Sequence, residues 1–70
     1  MVYTLSFKGK NFTNQFKNQF YNFVRAKITN HFEFDGKVLV FKGYEDDLKQ
    51  IMTYMNKQAI ETTIVSKINN

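Results

Sequence analysis

The sequence predicts a small α+β domain with two helices and about four strands. Two stretches carry apolar residues at helical spacing, and the segments around them alternate between apolar and polar residues. Between two alternating segments lies Asp35-Gly36, a pair suited to the positive φ of a tight hairpin turn.

Residues 2–7 place Tyr3, Leu5 and Phe7 on one side and Val2, Thr4 and Ser6 on the other, the period of a half-buried strand. Lys8-Gly9-Lys10 ends that pattern. Phe12, Phe16, Phe20, Phe23, Val24 and Ile28 then form a helical stripe, with Asn11 as the expected N-cap. Residues 31–34 and 37–41 are expected to form the hairpin. With Asp35 and Gly36 as its loop, Phe34 faces Lys37 and Phe32 faces Leu39, so Phe32, Phe34, Leu39 and Phe41 share the buried side. Tyr44, Leu48, Ile51, Met52, Met55 and Ala59 mark a second helix, opened by Glu45-Asp46-Asp47 where the helix dipole favours negative charge. Residues 62–68 are β-branched and suit a fourth strand, with Ile64 and Ile68 inward and Thr63, Val65 and Lys67 outward.

Leu5-Ser6-Phe7-Lys8-Gly9 before the first helix echoes Leu39-Val40-Phe41-Lys42-Gly43 before the second. With the order β-α-β-β-α-β, the echo predicts two pseudo-repeated halves in the arrangement called ferredoxin-like. Right-handed crossovers would lay both helices on one face of a four-stranded antiparallel sheet. The other face, carrying Thr4, Ser6, Val38 and Val40, would stay open, with Val65 adding apolar area and His31, Glu33 and Lys67 at its rim.

Seventy residues suit a single domain spanning 1–70, small enough that its core must be dense. The residues for such a core are present: 43% of the chain is hydrophobic, and eight Phe and four Tyr supply large rings. No Cys is present, so packing rather than disulfides or thiolate metal sites must hold the fold. No stretch nears 18 consecutive apolar residues, and residues 2–7 lack a signal peptide's apolar block, so a cytoplasmic address with no membrane contact is expected.

The inventory argues against an enzyme. His31 is the sole His, and the acids at 45–47 are accounted for by the helix dipole. His31 with Glu33 offers two ligands where zinc takes three or four, so neither metal nor cofactor is expected. Net charge is +4 and uneven: residues 1–42 hold seven bases against two acids, residues 43–70 three bases against four. Candidate partner or anion contacts are therefore Lys8, Lys10, Lys17, Tyr21 and Arg25 in the basic half, with Tyr54 on the far side of the second helix.

Two function classes follow. The first is a small regulator or inhibitor that docks on a protein through the sheet face, an edge strand or the Tyr21 side of the first helix. A homodimer through the same face or edge belongs to this class. The second binds nucleic acid, with Lys8, Lys10, Lys17, Arg25 and Lys27 neutralising phosphates. The first is favoured, because the lysines are spread out and the sheet face lacks the aromatics on which RNA-binding domains of this strand order stack bases. Short length, Asn- and Lys-rich usage and the lack of a catalytic set are also traits of phage and mobile-element proteins that act on host machinery.

Overall fold

The computed structural model describes residues 1–69. Its elements are β1 (Val2–Lys8), α1 (Asn14–Phe23) with a π-helical turn at Val24–Ile28, β2 (Phe32–Asp35), β3 (Val38–Lys42), α2 (Glu45–Asn56) and β4 (Glu61–Ile68). The strands form one antiparallel sheet in the order β2-β3-β1-β4.

Alternation in β1 and β3 divides the sheet into two unlike sides. Tyr3 pairs with Phe41 and Leu5 with Leu39, and all four are buried. The two echoed segments therefore lie side by side, leucine opposite leucine. Phe7, Phe16, Phe20, Val24, Leu48, Ile51, Met55 and Ile60 complete the buried cluster, so both helices cover the same side of the sheet. Residues of intervening parity form the other side, where Thr4 pairs with Val40 and Ser6 with Val38.

The hairpin register differs from the expected one by two residues. Phe32 pairs with Phe41, Phe34 with Leu39 and Asp35 with Val38, which leaves Gly36 and Lys37 as the loop. An even shift preserves the faces, and this one sets Phe34 opposite Leu39 where the expected register set it against Lys37. Of the two loop residues only Gly36 has a positive φ, 60°, the sign pattern of a II′ turn with glycine first.

Thr13, rather than Asn11, caps α1: its Oγ1 accepts a hydrogen bond from Phe16 N at 3.2 Å. Asn11 instead donates from Nδ2 to the Gln58 carbonyl at 3.1 Å, tying the loop before α1 to the end of α2. Loss of such a cap costs about 1 kcal/mol. Thr13→Ala should therefore lower the melting temperature by about 4–8 °C on thermal circular dichroism, while Thr13→Ser should hold it. An unchanged melt in Thr13→Ala would show that the cap contributes nothing.

At the far end of α1, Thr29 N bonds Val24 O at 2.9 Å, the i to i−5 step that makes the turn π-helical. In α2, Leu48, Ile51 and Met55 are buried as the stripe requires, but its two ends depart from it. Tyr44 is the N-cap and is 80% exposed. Ala59 lies past the helix at φ 57° and is exposed.

β4 departs most from its expected pattern. Its pairing with β1 slips between Thr4, opposite Ser66, and Leu5, opposite Ile64, so Val65 is an extra, bulged residue. Parity reverses across it. Ile64 stays on the helix side, but Ile68 pairs with Val2 on the open side, and Lys67 pairs with Tyr3 on the helix side. The expected inward Ile68 and outward Lys67 are thus exchanged by one inserted residue.

Candidate functional site

The predicted contact residues do not form one site. Lys8, at the end of β1, is exposed and pairs across the sheet with Glu61. Lys10 is exposed in the turn that follows. Lys17 places its Nζ 5.0 Å from the centroid of the Phe12 ring, a cation-π contact that covers the start of α1. Tyr21 leans on Phe32 with centroids 5.0 Å apart and keeps 43% of its surface exposed. Arg25 is exposed in the π-helical turn. Tyr54 is half-buried, not turned away from the protein: it stacks on Phe23 at 4.2 Å and stands 5.6 Å from Phe16 and 5.8 Å from Phe20. It bridges the two helices.

The bases separate to opposite ends of the sheet. Phe7 N bonds Lys37 O at 2.9 Å, and Asn11 holds Gln58, so Lys8, Lys10, Lys37 and Lys57 gather at the end where β1 finishes. Asp35 and Glu61 share that end. At the opposite end, Lys42 N bonds His31 O and Gly43 N bonds Met1 O. A cleft there of about 270 Å³ includes Met1, Ile28, His31, Lys42 and Asp47, and Arg25 and Lys27 lie in the turn leading into it. Lys37, within the basic half but not among the expected contacts, and Lys57, outside it, are brought there by the return of the hairpin and of α2 to the end of β1.

Gly9 has a backbone role. Its φ is 155°, its carbonyl accepts from Phe12 N at 3.1 Å, and a Cβ there would stand 3.3 Å from the Ala59 carbonyl oxygen. The loop Lys8-Gly9-Lys10 is shaped by the close passage of residues 59–60, which explains its glycine without an anion.

Between the helices runs an open groove of about 310 Å³ lined by Phe23, Tyr54, Gln50, Thr53, Lys49 and Lys57. The uncovered sheet side is different in kind. All five strand aromatics, Tyr3, Phe7, Phe32, Phe34 and Phe41, have helix-side parity. The centre of the open side is small or β-branched: Thr4, Ser6, Val38, 39% exposed, and Val40, with Glu33 and Asp35 along the β2 edge and Thr63, Ser66 and Ile68 along β4.

Among the described residues no cluster of three or more His, Cys, Asp or Glu could hold a metal ion. Among those residues, too, no helix is long and apolar enough to cross a membrane. Set against known family models, curated proteins and solved structures, the chain matches none of them.

Proposed function

We propose that this chain is a small, cytoplasmic, non-enzymatic binding module with ferredoxin-like architecture that docks on a protein as a regulator or inhibitor. The architecture is supported by the strand order β2-β3-β1-β4, by fully antiparallel pairing, and by burial of both helices on one side. The observation that carries the function is the open sheet side. Every strand aromatic is committed to the core, leaving a surface of Thr4, Ser6, Val38 and Val40 that suits close approach of another protein surface.

The alternative is phosphate binding by Lys8, Lys10, Lys37 and Lys57 at the end of β1. Asp35 and Glu61 at the same end reduce its field, and the open side offers no ring on which a base could stack.

One comparison separates the two readings. The wild type and a folded Ser6→Arg/Val38→Arg variant are used as baits in extract of the cells that encode the chain. In parallel, both are titrated against labelled DNA and RNA across a salt series. Protein docking predicts a partner retained by the wild type and lost by the variant, with no salt-dependent nucleic-acid binding. Equal retention by both baits would exclude the sheet side. Micromolar nucleic-acid binding that weakens steeply with salt, and is lost when Lys8, Lys10, Lys37 and Lys57 are neutralised, would establish the alternative.

A further inference from the structure

We propose that β4 is a self-recognition edge, at which two copies of this chain pair antiparallel about a two-fold axis to form one eight-stranded sheet. The strand order leaves one side of β2 and one side of β4 free. β4 is the longest strand, with eight residues against four in β2, and the chain has no Pro, so each of its residues keeps an N–H. Free N–H and C=O groups along such an edge are a template for another strand. Large apolar side chains are also concentrated there: Ile64 is 45% exposed, Val65 60% and Ile68 57%.

Register is what selects a second copy as the occupant. Opposed residues of an antiparallel pair share a face. Because the bulge reverses parity at Val65, a two-fold pairing of β4 strands that spans the bulge matches faces only when the axis passes between residues rather than through one. The setting that pairs all eight residues places the axis between Ile64 and Val65. Thr63 then meets Ser66 of the second copy on the open side, Ile64 meets Val65, and Thr62 meets Lys67 on the helix side. Glu61 meets Ile68, so no like charges are opposed.

The β2 edge gives the opposite result. Glu33 and Asp35 share one face, and every face-matched two-fold register that pairs more than one residue of β2 sets carboxylate against carboxylate. Nor does Lys67 guard β4, because its side chain folds back over its own Tyr3, with Nζ 6.0 Å from the ring centroid. The two-fold stands perpendicular to the sheet, so the helices of both copies lie on one side and the two open faces merge. This inference does not rest on the docking reading.

The absence of Cys gives a clean test. In a Glu61→Cys/Ile68→Cys variant the two cysteines stand opposite Lys8 and Val2, about 20 Å apart along one strand. That exceeds the ~7 Å between Cα atoms that a disulfide can span, so a bond forms only between copies. Oxidation should give a covalent dimer, and Glu61→Cys alone should not. Sedimentation equilibrium of the unmodified chain, from about 10 µM to 1 mM, should show mass rising from 8.3 kDa to twice that value, as a small interface predicts. Ile64→Lys, checked for fold by circular dichroism, should hold the mass at the monomer's. A monomer at every concentration, cross-linking by the single cysteine, or mass growing past the dimer would each overturn the proposal.

Discussion

Phe20→Ala is expected to give the largest loss of stability, about 3–5 kcal/mol, read as a urea transition moved far towards zero denaturant. Phe20 is fully buried and is the ring on which the aromatic core converges. It meets Phe7 edge-on at 5.3 Å and Phe34 edge-on at 5.4 Å, and stands 5.8 Å from Tyr54 and 6.3 Å from Phe16. These contacts join β1, β2, α1 and α2 through one side chain. Truncating a buried Phe costs about 3–5 kcal/mol. Stability of roughly 0.05–0.15 kcal/mol per residue gives a chain of this length about 3.5–10 kcal/mol in all. The loss thus removes between about 30% and all of the stability, and Phe16→Ala, at the rim of the same cluster, should cost less. A Phe20→Ala protein that still melts cooperatively within about 1 kcal/mol of wild type would place the centre of the core elsewhere.

Gly9→Ala should produce the second largest loss, although Gly9 is exposed. A φ of 155° lies in a region that only glycine occupies freely, and forcing a side chain there costs about 1–3 kcal/mol. The added Cβ would also press on the Ala59 carbonyl at 3.3 Å. The expected fall in melting temperature is about 4 °C or more, read by thermal circular dichroism against Lys10→Ala as a surface control. Equal melts for the two variants would mean that the loop relaxes without strain, and the backbone account of Gly9 would fail.

Much of the fold was legible in the sequence because burial imposes period. The helical stripes at Phe16, Phe20 and Val24 and at Leu48, Ile51 and Met55, and the two-residue alternation of β1 and β3, reappear as the buried cluster. Legibility ended where a single residue decides. The cap went to Thr13 because the chain makes one more turn after Gly9 before the helix begins, and residue type alone does not separate Asn11 from Thr13. The hairpin loop lies one residue later, at Gly36-Lys37, which shifts each partner by two and sets Phe32 opposite Phe41 and Phe34 opposite Leu39; the local preference of Asp35-Gly36 does not carry that choice. The bulge at Val65 has no composition signal, yet it exchanges the faces of Lys67 and Ile68.

The candidate contacts were legible as exposed bases but not as a place. Lys37 and Lys57 join Lys8 and Lys10 only through the return of the hairpin and of α2, while Arg25 goes to the opposite end. Tyr54 shows the reverse error: a polar aromatic off the apolar stripe suggests a surface anchor, and its ring is spent on Phe23.

The side chains of the open sheet side also set what it costs to cover that side. Thr4, Ser6, Val38 and Val40 each turn about one heavy-atom torsion, and in a strand the β-branched ones are already confined at χ1. A partner that settles on them freezes few rotors, whereas each immobilised lysine at the ends of the sheet would forfeit about 0.5–1.5 kcal/mol of side-chain freedom. The molecule therefore has one surface whose order is already present before binding, surrounded by others whose order must be created on contact.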